Sequence, residues 1–306
     1  MNLDKLTRVD RRIVFLLIFI GTFLPIVFTI GLPVSITPPV RDLYDKMESL
    51  NEGDMIMLSF DYGPTTAPEN APMVDAVLRH AFLKRLKVVI IALFPIGSVT
   101  MAEQEVSKVA GEYEATHIYG VDFVNLGYKD GGQAVMKQMG VNIQGVFPTD
   151  VSGTPFDEIP MFEPYRTSGD SVLSYTDMKL VISVATGIIG EWWANLVNAQ
   201  FGIPVAVGCT AVSAPKYYAY YKAGQMIGLL GGLKGGSEYE KLLIDGYGDR
   251  YPKMRAIYND PKVYSAIKGM DVQTIDHMII IIFILFGNII YFLMKRQEKK
   301  LAQTGM

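Results

Sequence analysis

The chain has 306 residues, half of them hydrophobic and 19 % charged, with a formal net charge of −3 at pH 7. That balance excludes a disordered or fibrous chain, leaves enough apolar residues to bury a core of ~200 residues in one domain or two lobes, and offers no basic surface for nucleic acid. Its single cysteine, Cys209, excludes an intrachain disulfide.

Residues 1–12 carry Lys5, Arg8, Arg11 and Arg12, and an uncharged run follows from Ile13 to Leu32. A helix needs ~20 mostly apolar residues to cross a bilayer, so residues 13–33 are expected to span one, with Pro25 and Pro33 kinking or ending the helix. The competing reading is a cleaved signal peptide. Its cleavage sites usually carry Ala, and none occurs before Ala67, which favours an uncleaved anchor.

Residues 41–244 then alternate between strand-like and helix-like patterns, the mark of parallel βαβ units. Strands are expected over Asp54–Phe60, Lys87–Phe94, Val121–Leu126, Leu180–Ala185 and Pro204–Val207. Helices are expected over 72–85, 101–113, 131–139 and 189–200. These five units predict a doubly wound, mostly parallel α/β sheet. The stretch 147–177 holds Pro148, Pro155, Pro160 and Pro164, and so long a loop is expected to be a lid or a mobile insertion.

Gly224, Gly228, Gly231 and Gly235 recur at steps of four, three and four, which would align them on one face of a helix. Such a stripe admits a second helix at close range and predicts a subunit contact. The alternative is a set of turns that breaks up a shorter helix within 216–230. The segment lacks the G-x-x-x-x-G-K-[ST] order of a phosphate loop, so no nucleotide or other cofactor is expected.

A turn-rich linker over 245–274 leads to a second apolar segment, 275–294, uncharged from Met278 to Met294, and to a basic tail at 295–306 with Lys295, Arg296, Lys299 and Lys300. The excess of Lys and Arg outside both segments places both termini in the cytoplasm and the central domain outside it. Without the eight basic and three acidic residues of the ends, the remainder carries 20 basic and 28 acidic residues. A domain at net −8 disfavours anionic lipid headgroups as its own partner. The absence of Asn-x-Ser/Thr acceptors and of paired cysteines fits the inner membrane of a bacterial or archaeal envelope.

Ligands of open parallel sheets bind beyond the carboxyl ends of the strands. The candidates there are Asp61, Tyr62, Ser98, Lys129, Asp130, Thr186 and Thr210. Asp61 and Asp130 could polarise a water or accept from a hydroxyl-rich ligand, while beside glycine they serve equally well as turn caps. Cys209 lacks a histidine on its side of the sheet and reads as a small buried hydrophobe. Of Trp192 and Trp193, adjacent on a helix, one is expected in the core. No Cys/His cluster has zinc spacing, so no metal is expected, and common hydrolase signatures are missing. The leading expectation is a two-pass envelope protein whose Rossmann-like domain is an oligomeric scaffold or binds an envelope partner or small ligand. The alternative is a membrane-tethered hydrolase built on carboxylates at the carboxyl edge of the sheet.

Overall fold

Short apolar runs buried almost along their whole length make the sheet of the computed structural model, which describes residues 10–28, 30–113, 116–166, 171–260 and 262–303. The strands are β1 (Met55–Asp61), β2 (Lys87–Ala92), β3 (Phe123–Tyr128), β4 (Leu180–Ala185), β5 (Val205–Cys209) and β6 (Gly228–Gly231). All neighbours pair in parallel, in the order β3-β2-β1-β4-β5-β6. Both faces are covered, which is why these strands read as continuous rather than alternating apolar runs. The order reverses between β1 and β4.

One face carries Ile56, Leu58, Phe60, Val88, Ile90 and Ile182. Packed on it are α2 (Pro38–Glu48), α3 (Ala67–Leu83), α4 (Ser98–Glu112) and the later helix α9. The other face carries Met57, Val89, Ile91, Val181 and Val207. It is covered by α5 (Gly132–Met139), α6 (Ile143–Val146), α7 (Ile189–Trp192) with its π-helical continuation Trp193–Asn198, and α8 (Ala214–Lys222). The chain then runs through β6 into α9 (Gly232–Tyr247) and α10 (Pro252–Asn259).

Three expectations are corrected. The sheet has six strands rather than five, because a four-residue strand bounded by glycines carries almost none of the β-branched signal that marks the others. The proline-rich stretch is no lid: Phe147, Phe156, Ile159, Met161, Phe162, Leu173 and Tyr175 are buried in the core, with the Phe156 and Phe162 rings stacked at 4.3 Å. Its prolines shape short 3₁₀ turns, Phe156–Glu158 and Pro160–Tyr165, that cover the sheet where a crossover helix would otherwise lie.

The third correction concerns the glycines, which form no helical stripe. Gly224 sits in a turn at φ +73° with no atom near its missing Cβ. Gly228 and Gly231 bound β6, and Gly235 lies in the first turns of α9. A Cβ on Gly228 would stand 2.6 Å from Leu43 Cβ, one on Gly231 2.9 Å from Ala214 Cβ, and one on Gly235 2.8 Å from the Leu230 backbone. These three close approaches lie within the chain and are not a subunit contact.

A separate unit comprises the chain ends, residues 1–32 and 257–306. Its helices are α1 (Arg11–Val27) and α11 (Ala266–Gln303). The stretch Ala266–Arg296 of α11, 31 residues, is long and apolar enough to cross a membrane. Helix α1 has 17 residues and packs antiparallel to α11, with Gly21 against Ile279, and Thr22 Oγ1 donating to Asp276 Oδ2 at 2.8 Å. Asp271 closes the unit by accepting the backbone N–H groups of Ile30, Gly31 and Leu32 at 2.8 to 3.1 Å.

Candidate functional site at the carboxyl edge

The reversal between β1 and β4 sets the loops after β2, β1, β4 and β5 side by side along one edge. Glycine lets the first two interlock. A Cβ on Gly63 would lie 2.5 Å from the Ile96 carbonyl oxygen, and one on Gly97, already at φ +76°, would lie 2.8 Å from Pro64 Cδ. Across the reversal the Thr186 N–H donates to the Asp61 carbonyl at 2.9 Å. Glu69, in the first turn of α3, accepts the Ala211 N–H at 2.8 Å and ties in the loop after β5. The edge is therefore a fixed platform.

Asp61 lies beneath it and is fully buried. Oδ1 accepts Ser59 Oγ at 2.8 Å and the Leu93 N–H at 2.9 Å, while Oδ2 accepts Ser183 Oγ at 2.6 Å and Trp193 Nε1 at 2.8 Å. Burial pushes the carboxyl above the usual carboxylate range, against the pull of the four donors. All four acceptor positions are occupied, so Asp61 joins β1, β2, β4 and the π-helical turn and presents no oxygen to a substrate. Tyr62 is buried on the opposite face, its hydroxyl without a partner among the described residues; burial, with Glu105 and Asp75 nearby, holds the phenol well above its ordinary value.

The remaining predicted residues do not converge. Ser98, buried at the start of α4, donates to the Phe94 carbonyl. Thr210 is buried with its hydroxyl on Ser213 Oγ at 3.2 Å. Lys129 and Asp130 are exposed beyond β3, where Asp130 accepts the Tyr128 hydroxyl at 3.2 Å. Thr186 is half-buried. Burial pushes the Cys209 thiol up to about 12, which leaves it without nucleophilic character. Among the described residues no group of three or more His, Cys, Asp or Glu side chains is placed to hold a metal.

Sequence reasoning missed what the platform displays. Ile96, Ile188 and Val212 stand on the loops after β2, β4 and β5 with 70 %, 53 % and 89 % of their surface exposed, and Pro64 is exposed on the loop after β1 between them. At ~4.8 Å per strand the row runs about 14 Å along the edge. The signal was available, since loop aliphatics beside Pro and Gly have no amphipathic element to bury them. Beside the row, Lys216 Nζ pairs with Glu191 Oε1 at 2.6 Å and donates to the Gly187 carbonyl at 3.0 Å, and the Tyr220 hydroxyl donates to Glu191 Oε2 at 3.1 Å.

Comparison with known proteins finds no matching family, no matching curated protein and no matching solved structure.

Proposed function

We propose that the chain is a two-pass envelope membrane protein with both termini in the cytoplasm, and that its α/β domain, outside the cytoplasm, is a binding module working through the carboxyl edge of its sheet. The observation that carries this reading is the row of Ile96, Ile188 and Val212, exposed on interlocked loops. Separate aliphatic side chains on a surface are ordinary, but a row held on rigid loops matches the apolar core of a protein interface. The occupant we propose is a second copy of the chain. Copies tethered in one membrane meet at a high effective concentration, which favours a self-complementary contact through the same edge of each copy. The second span is supported by the antiparallel packing of α1 on α11 and by the basic residues that flank both segments. A carboxylate hydrolase gains no support, because Asp61 has no free acceptor position.

The test is the molar mass of the full chain in detergent, by light scattering, for the wild type and for Ile96→Asp/Val212→Asp. The reading expects a wild-type dimer or larger species, and a monomeric double variant with an unchanged thermal transition. A monomeric wild type, or a double variant that keeps the wild-type mass, overturns it.

A further inference from the structure

At the opposite, amino edge of the sheet a cavity of about 330 Å³ opens beside Met55. Lys87 is the register partner of Met55 on β2. On the other side Leu180 pairs with Ile56, so Lys179, whose N–H donates to the Met55 carbonyl at 2.8 Å, falls in the same row. Neighbours in one row of a parallel sheet point to the same face, and Met55, Val89 and Val181 identify it as the face covered by the proline-rich stretch. Both lysines line the cavity from either side of Met55, and Met161, Tyr165 and Thr176 wall it from above.

Among the described residues neither ammonium group has a side-chain hydrogen bond or ion pair, although Asp54 and Asp177 line the same cavity. Each carboxylate is already turned to the backbone: Asp54 Oδ2 accepts the Asn51 N–H at 2.8 Å, and Asp177 Oδ2 accepts the Ser174 N–H at 2.9 Å as part of a capping box. Two cations thus line an open volume together with Tyr165, which lies beside Asp177, and Thr176, whose hydroxyl bonds Ser174 Oγ at 2.8 Å.

We propose that this cavity binds a small oxyanionic ligand, a phosphate monoester or a carboxylate, with Lys87 and Lys179 gripping the anionic head from two strands. Asp54 and Asp177 oppose polyanions such as nucleoside triphosphates and can accept a hydroxyl or ammonium group elsewhere on the ligand. The volume lies at the small end of ligand pockets, which suits a metabolite of a few carbon atoms. The proposal also gives the proline-rich stretch a task, since its 3₁₀ turns at 160–165 and 175–177 supply one wall.

The test is isothermal titration of the full chain in detergent with glycerol 3-phosphate, inorganic phosphate and acetate in turn, at constant ionic strength. Saturable binding of at least one probe is expected, with the head group preferred identifying phosphate or carboxylate as the source. Lys87→Gln or Lys179→Gln should weaken it about tenfold or more, because each removes a charge-assisted hydrogen bond. The Lys87→Arg/Lys179→Arg variant, which keeps both charges, checks that the site tolerates substitution and should retain binding. Absence of saturable binding by all three probes overturns the proposal. So does unchanged affinity in the Lys87→Gln/Lys179→Gln double variant.

Discussion

Replacing Asp61 with Asn separates a structural carboxylate from a catalytic one. The substitution keeps the shape and turns one acceptor oxygen into a donor. Ser59 and Ser183 can rotate their hydroxyls to accept, but the Leu93 N–H and Trp193 Nε1–H have no such freedom, and each faces a different oxygen. Whichever way the amide turns, its NH₂ meets one of those N–H groups. One buried donor is left unsatisfied, at about 2 kcal/mol. For a domain of this size ~1 kcal/mol corresponds to a shift of ~2–4 °C, so the transition should fall roughly 4–8 °C. Asp61→Ala strands both N–H groups and should cost about twice as much. Trp192 and Trp193 are the only two tryptophans in the chain, and Trp193 is itself a partner, so tryptophan fluorescence against temperature reads the site directly. A transition within 1 °C of wild type for Asp61→Asn would refute the four-donor description.

Gly228→Ala should already destabilise the domain by ~1–3 kcal/mol and Gly228→Leu should prevent its folding, because the new Cβ meets Leu43 Cβ and, at 3.0 Å, the Pro39 carbonyl; a stable, folded Gly228→Leu chain by circular dichroism would contradict the packing of β6. Glu48 accepts the Tyr247 hydroxyl at 2.6 Å and lies 2.9 Å from His80 Nε2, and the hydrogen bond with His80 above all holds its carboxyl at about 2. A folded pKa below the unfolded value means stability that is present above about pH 4.5 and lost as the pH falls toward 2. The stability difference between wild type and Glu48→Gln, followed by thermal melts, should therefore shrink across that window; a difference that grows there would reverse the sign. In a Cys209→Ala background an impermeant thiol reagent should label Ser152→Cys but not Gln303→Cys in intact cells, or in spheroplasts if an outer membrane limits access; labelling at 303 alone would put the domain in the cytoplasm.

Burial on both faces made the sheet legible, since runs such as KVVIIA and LVISVA have no other use in a parallel fold. Strand β6 escaped for the opposite reason: its GLLG holds no β-branched residue, and its glycines serve the approach of α2 and α8, as Gly235 of α9 serves that of α9 to Leu230, rather than a helix stripe. Reading 147–177 from its prolines missed its packing, because aromatic and aliphatic residues spaced between them fill the core of one face. Asp61 was placed correctly at the end of a strand, but position cannot tell an open carboxylate from one enclosed by Ser59, Leu93, Ser183 and Trp193, partners drawn from four separate segments. The histidine at position 80 likewise reads as a helix residue. Its contacts with Glu48 and, at 2.7 Å, the Tyr239 hydroxyl require α2, α3 and α9 to assemble first.

The claim that the carboxyl edge is the working surface is tested most directly by photo-crosslinking in native membranes, with a benzophenone amino acid placed in turn at positions 96, 212 and 141. Val141 is the control: it is 73 % exposed and follows α5 at the far side of the sheet. The account predicts an adduct of twice the chain mass from positions 96 and 212 and none from 141. Equal adducts from all three positions, or none from 96 and 212, would contradict it.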